Sequence, residues 1–456
     1  MGRGTLEKLG AIQQGELSAT KNVQQALDRI KKLDKKIKAF IELNPNALAE
    51  AEAIDRKLKR GELAGKLAGL TIGIKSNINV KGLRATCASR TLEDYVSPYD
   101  AEVIRRVRDA GGIIVGMNNM DEFACGSSGE ASAFGPTDNP AAPGHIPGGS
   151  SSGSAAAIAA GMCDLCLGTD TGGAIRNPAS HCGVVGIRPT QGLVPAHGLI
   201  ELAVSFDQVG PLAPDVYGAA LMLEIIAGRN PNECTALDSP SVNYSDKLDI
   251  DIENIRVGTS SKFRELTSPA IMNVIDGAVG KLHHLGAEVV EVELPNLEKG
   301  LSAYYVIMSA EFFSATRKFD GRKYGRRIEE VCGDEVLRRI KCGEYISRME
   351  QRDKYYKRAL QVRTLMRREF KEALDRVDVI VGPTVPKLPH QLGTKLSPAE
   401  MYAYDYLTSP ISLAGICAGT VKAGEASGIP VGLQVQGKVL GEETVLRVMR
   451  ALEAVK

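Results

Sequence analysis

The sequence predicts an α/β protein, a central mixed β-sheet covered by helices on both faces, and three observations carry that reading. Leu70-Thr71-Ile72-Gly73-Ile74-Lys75 alternates strictly between the two faces of a strand, a strand-helix-strand rhythm recurs, and long stretches repeat apolar residues at helical spacing.

Between residues 5 and 43, Leu6, Leu9 and Ile12, then Val23, Ala26, Leu27 and Ile30, predict two amphipathic helices that cover a core. The alternating strand puts Leu70, Ile72 and Ile74 on one face and Thr71, Gly73 and Lys75 on the other, so Lys75 ends the strand facing away from the apolar layer. A helix around residues 100–110 stops at Gly111-Gly112 and gives way to a strand at 113–117. The rhythm returns at 255–258, in a helix opened by Ser268-Pro269, and at 287–292. Charged helices from about residue 326 to 374 lead into a buried strand at 377–381. No repeat or Pro-rich linker divides the chain, so a single domain over residues 1–456 is expected, with a helical sub-lobe around 300–375.

Lys plus Arg (56) nearly balance Asp plus Glu (55), so no global field favours nucleic acid or an anionic membrane, and any RNA contact is local or made by a partner. The longest apolar run, 155–168, is too short to cross a bilayer and is interrupted by Asp164. Met1-Gly2-Arg3-Gly4 runs straight into an amphipathic helix without the apolar core of a secretory leader, which points to the cytoplasm. Nine cysteines, an odd number without framework spacing, are expected as free thiols, and Cys163 and Cys166 as part of a buried strand. His181 reads as a satisfied core histidine, and His283-His284 lacks carboxylate or Cys partners, so no metal is expected.

The chemistry concentrates in two turns. Pro147-Gly148-Gly149-Ser150-Ser151-Ser152-Gly153-Ser154 feeds a helix of small residues able to lie close to its neighbours. One helix and one strand later comes Gly168-Thr169-Asp170-Thr171-Gly172-Gly173-Ala174-Ile175-Arg176, whose successive amides can cradle an oxyanion. Either segment alone reads as a tight turn. Two of them flanking one α-β unit, with a strand-end lysine, suggest a site. The P-loop, G-x-G-x-x-G and nucleophile-elbow patterns are absent, and no nearby histidine completes a serine triad, so a lysine base is the better candidate.

In their order, Gly73-Ile74-Lys75, Pro147-Gly148-Gly149-Ser150-Ser151 and Gly168-Thr169-Asp170-Thr171-Gly172-Gly173 closely resemble the amidase signature family, over nearly the whole chain. Met120-Asp121-Glu122-Phe123, Gly126-Ser127-Ser128, Ala133-Phe134-Gly135-Pro136-Thr137, Ser205-Phe206-Asp207-Gln208-Val209-Gly210-Pro211 and Val362-Arg363-Thr364-Leu365 are similar to one branch of it, the A subunits of glutamyl-tRNA(Gln)/aspartyl-tRNA(Asn) amidotransferases. The resemblance implies a Ser-cisSer-Lys mechanism that releases ammonia from glutamine. It implies Lys75 as the base and Ser150 as the relay after a cis Gly149-Ser150 bond. Thr171, Gly172 and Gly173 would form the oxyanion hole, Asp170 would hold that turn, and Arg176 would support it. For the substrate it implies Arg339, with Arg338 as fallback, and Asp405, the cation and anion a zwitterion needs, with Cys125 and Ser127 lining the pocket. It also implies B and C partner subunits, ATP and Mg2+ used by a partner and no cofactor here, and misacylated tRNA reached only through the complex. DNA and membrane partners are not implied.

The sequence departs from the pattern where it matters most. Ala174 stands where the family has its nucleophilic serine, and alanine has no lone pair with which to attack a carbonyl. An engineered serine-to-alanine change, a naturally inactive scaffold, and rescue by Thr171 or Ser152 are the competing accounts. The retention of Lys75, Ser150 and the glycines favours the first, and the chain as written is expected to bind substrate without turning it over. A stand-alone amidase of another substrate is the remaining alternative.

Overall fold

A computed structural model describes residues 4–231, 233–239 and 242–455; Met1, Gly2 and Arg3, the start of the segment without a leader pattern, lie outside them. Its strands are β1 (Phe40–Leu43), β2 (Thr71–Lys75), β3 (Ile113–Asn118), β4 (Leu165–Asp170), β5 (Val185–Arg188), β6 (Gln208–Ala213), β7 (Arg256–Thr259), β8 (Glu288–Glu291), β9 (Val379–Pro383), β10 (Ala418–Ala426) and β11 (Ile429–Gly437). All join one mixed sheet in the order β1-β3-β2-β4-β6-β5-β10-β11-β9-β7-β8. β2 runs parallel to both neighbours, β3 and β4, and β7 runs parallel to β8 and β9. The pairs from β4 through β9 across the middle of the sheet are antiparallel.

The expected strands appear within two residues of their anticipated ends. One segment differs: the second N-terminal helix, Ala19–Ile37, ends at Lys38 in the left-handed conformation (φ 56°), and residues 40–43 become β1, the edge strand beside β3. Helical spacing alone could not mark that boundary, because the β-sheet partner lies more than seventy residues away.

β2 is buried on both faces. Leu70, Ile72 and Ile74 join the main core with Val103, Ile104 and Leu221. Its other face lies under the small-residue helix Ser152–Ala159, which packs on β2, β3, β4 and β6. That close approach requires glycine: a Cβ on Gly153 would sit 2.4 Å from Ala39 O and 2.6 Å from Asn119 N. Lys75 is therefore enclosed, and its face is polar without being open to water.

Between residues 299 and 376, the helices Lys299–Thr316, Asp334–Ser347 and Tyr356–Arg376 pack together. They share an apolar cluster, including Ile307, Phe312, Ile340 and Met366, with Phe123 and Phe206 from the site side of the sheet. Among the described residues no helix is long and apolar enough to cross a membrane. All nine cysteines are free thiols, and Cys163 Sγ lies 3.2 Å from Cys166 Sγ, the former just before β4 and the latter within it.

Candidate active site

Parallel neighbours end on the same edge of a sheet, so β2 and β4 deliver Lys75 and Thr169-Asp170 side by side, the place where α/β sheets build their sites. The serine loop covers this edge, and its Gly149-Ser150 peptide is cis. Lys75 Nζ donates to Ser150 Oγ and to Thr169 Oγ1, both at 2.8 Å, and to Thr169 O at 3.2 Å. Burial pushes the lysine down to about 7, against the opposing pull of Asp121, Asp170 and Asp207. A large fraction of this amine is thus neutral near pH 7.

The second turn is tied to the first by Ser151 N–H donating to Ala174 O at 3.0 Å. Asp170 anchors it. Its carboxylate accepts from Gly173 N at 2.9 Å and Ile175 N at 3.2 Å, and is gripped by Arg176 through Nη2 (2.9 Å) and Nε (3.0 Å), with Arg188 alongside. Burial alone would raise this carboxyl, but Arg176 and Arg188 overcome it and hold Asp170 well below the usual carboxylate range. Arg176 also donates to Gln434 Oε1 at 2.7 Å and Thr408 O at 3.0 Å, reaching β11 and the loop after Asp405.

One of the three amides expected to form an oxyanion hole is engaged within the turn. Gly173 N–H already donates to Asp170, so this amide holds the turn, leaving those of Thr171 and Gly172 as the oxyanion donors to consider. Gly173 is fixed as glycine by φ 139° and by Thr408, whose Oγ1 would lie 2.2 Å from an added Cβ. The two hydroxyls weighed as stand-ins for a nucleophile are also engaged. Thr171 Oγ1 donates to Asp207 Oδ1 at 2.6 Å, and Ser152 Oγ pairs with Thr137 Oγ1 at 3.3 Å.

A second cluster forms where the helices of 299–376 meet the site. Asp405, buried, accepts from Ser127 Oγ and from Tyr305 OH, each at 2.8 Å. Burial pushes its carboxyl up to about 6, against those two hydrogen bonds and Arg339. Arg339 is buried (4% exposed), donates through Nε to Glu335 Oε1 at 2.8 Å, and lies over the rings of Tyr305 and Tyr402 at 5.2 and 5.7 Å. Arg338, the fallback, points outward and pairs with Glu335 from an exposed position. Cys125 is fully buried beside Arg339, and burial raises its thiol, leaving it neutral. Asn177 Nδ2 donates to Ser127 O at 3.1 Å, joining this cluster to the helix that follows the second turn.

A family model described as amidase matches residues 21–446. The chain belongs to the amidase signature family. Among its relatives is the A subunit of the glutamyl-tRNA(Gln) amidotransferase of Methanothermobacter thermautotrophicus, 54% identical over 450 residues and covering 98% of each chain. The solved A subunit of the glutamyl-tRNA(Gln) amidotransferase of Thermotoga maritima superposes with a TM-score of 0.83 at 37% identity, covering 96% of this chain and 92% of that one. The native peptide amidase of Stenotrophomonas maltophilia does so at 0.82 and 32%, covering 97% and 95%.

Within this amidase signature protein, several site residues were given no role by motif reading. Tyr305 has no local signal, because only the packing of its helix brings it to Asp405. Glu335 stands four residues before Arg339 on one helix, a spacing that was the available clue, and Tyr402 stands three before Asp405. Asp121 accepts from Gly129 N and Ala131 N at 3.0 Å and packs so tightly on Gly149 that a Cβ there would meet its Oδ2 at 1.9 Å. His181 is buried, as expected for a core histidine. It stands edge-on to Tyr404, and burial pushes it down to about 3 against the backbone of Lys387, so the ring is neutral.

Proposed function

We propose that this chain is the glutamine-hydrolysing component of a tRNA-dependent amidotransferase, its A subunit, working in the cytoplasm with B and C subunits. The observation that carries the reading is the pairing of a buried, readily neutral Lys75 on Ser150 with a separate buried cation and anion, Arg339 and Asp405. Arg339 would take the glutamine carboxylate and Asp405 its ammonium, with Ser127 and Cys125 lining the pocket.

In the reaction, neutral Lys75 takes the Ser150 hydroxyl proton as Ser150 takes one from the nucleophile at position 174. The nucleophile attacks the side-chain carboxamide carbon, and the oxyanion is held by the amides of the Thr171-Gly172 turn. The proton returns along the same relay to the leaving nitrogen, ammonia departs, and water cleaves the acyl-enzyme to glutamate. Ammonia would pass to a partner subunit, which uses ATP and Mg2+ to amidate Glu-tRNA(Gln) or Asp-tRNA(Asn). This chain needs no cofactor of its own.

Ala174 interrupts that relay, and the intact Lys75, Ser150 and glycines support reading it as a replaced serine. The chain then binds glutamine without turnover. The Ala174→Ser variant should release ammonia and glutamate from glutamine, faster with the B and C subunits present. If the reconstituted complex carrying Ala174→Ser releases no ammonia, the catalytic reading fails and the naturally inactive scaffold takes its place. If Arg339→Ala and Asp405→Ala leave that hydrolysis unchanged, the substrate is another amide.

A further inference from the structure

The chain is nearly neutral as a whole, yet one exposed corner is neither neutral nor polar throughout. It lies between the helices Asp334–Ser347 and Tyr356–Arg376, around the short helix Met349–Arg352. Met349 is 88% exposed and Tyr345 44% exposed. The rings of Tyr345 and Tyr355 lie 6.0 Å apart at a tilt of 52°, with Arg348 over the first at 5.9 Å and Lys354 over the second at 5.1 Å. Residues 348–358 hold Arg348, Arg352, Lys354, Lys357 and Arg358 against Glu350 and Asp353. Lys357 pairs with Asp353, and Arg348 with Glu344. Among the described residues, Arg352, Lys354 and Arg358 have no carboxylate partner.

Tyrosine, methionine and arginine together are the composition of a protein-protein hot spot. The corner is also mechanically joined to the substrate cluster. The helix that carries Tyr345 near its end holds Glu335 and Arg339 nearer its start. Its Gly343 is pressed so closely on the helix Lys299–Thr316 that a Cβ would meet Ser309 O at 2.0 Å, which fixes the rod between the two ends.

We propose that the corner at residues 342–358 is the docking surface for a partner subunit, whose matching face carries carboxylates around an apolar socket for Met349. The inference rests on the amidotransferase reading above. The unpaired cations demand an acidic counterpart, and the exposed thioether favours protein over nucleic acid, since phosphate has no use for it.

The test measures binding of the chain as written to the purified B and C subunits of the same organism by calorimetry. The Met349→Glu, Arg352→Glu double variant should bind them at least ten-fold more weakly with an unchanged melting temperature, while Leu63→Glu, at an exposed site remote in sequence, should bind as the parent does. Equal affinity of parent and double variant overturns the docking surface alone. Failure of the parent to bind at all overturns the amidotransferase reading itself. A third arm adds transfer RNA to the isolated chain: if the double variant loses RNA binding while keeping its partner affinity, the corner is an RNA surface and the proposal is wrong.

Discussion

Lys75 Nζ lies 2.8 Å from Ser150 Oγ, both residues fully buried, and the two arrive there from separate elements, a strand end and a loop. A lysine in water stays protonated up to about pH 10.4 and cannot accept a proton from serine at neutral pH. Here burial does what sequence position alone cannot. It disfavours the ammonium enough to bring the group to about 7, while Asp121, Asp170 and Asp207 keep it from falling further.

The pH dependence follows with a definite sign. The base must be neutral, so ammonia release by Ala174→Ser should rise with pH up to about 7 and level off above it, losing roughly ten-fold per unit on the acid side. Lys75→Ala in the same background should cost about 10²–10⁴-fold in kcat. Steady-state ammonia assays across the range check both. A flat profile between pH 5.5 and 8 would contradict the lysine base.

Asp405 should make glutamine binding pH-dependent by itself, and the chain as written permits the measurement without turnover. Its carboxyl, pushed up to about 6, must be ionised to hold the ammonium, so the affinity falls as pH drops below 6. Asp405→Asn should weaken binding by about 10–150-fold, the loss of a charge-assisted hydrogen bond worth about 1.5–3 kcal/mol, and should abolish this acid-side change. Titration calorimetry at pH 5, 6 and 7.5 gives the answer.

Asp170 predicts a stability effect that is also lost on the acid side, at lower pH. Its pKa is held below the unfolded value, so its contribution is fully present above about pH 4 and disappears as pH falls toward the folded value. Asp170→Asn leaves Arg176 and Arg188 buried without their anion, and should cost about 3–5 kcal/mol in urea unfolding at pH 7. A loss below about 1 kcal/mol would show that the arginines find other support.

Gly173→Ala tests the geometry of the second turn. The new methyl would stand 2.2 Å from Thr408 Oγ1 on a backbone with φ 139°, so the turn has to move. Destabilisation of about 1–3 kcal/mol is expected, with loss of hydrolysis in the Ala174→Ser background. Full activity in the double variant would mean that the turn is not held as described.

Much of the fold was legible because its signals are local. Period-two alternation at 70–75 and the glycine stops near 111 and 112 report on backbone geometry within a few residues. β1 was not, since a four-residue edge strand is defined by its pairing with β3. The site divides in the same way. Lys75, Ser150 and the second turn stand in segments whose order carries the resemblance. The pairing of Tyr305 with Asp405, a hundred residues apart, depends on a contact that no window of sequence contains.

The amino-acid order by itself determined which chemical groups are available: a strand-end lysine, a serine loop, a glycine turn, and an alanine at position 174. Tertiary structure decided how those groups behave. Enclosure by the Ser152–Ala159 helix sets the proton affinity of Lys75, and the packing of helices from 299 to 376 buries Arg339, leaves Arg338 exposed and pairs Tyr305 with Asp405. Solvation and long-range contact are properties of the folded surroundings, and a residue's neighbours in sequence do not fix them.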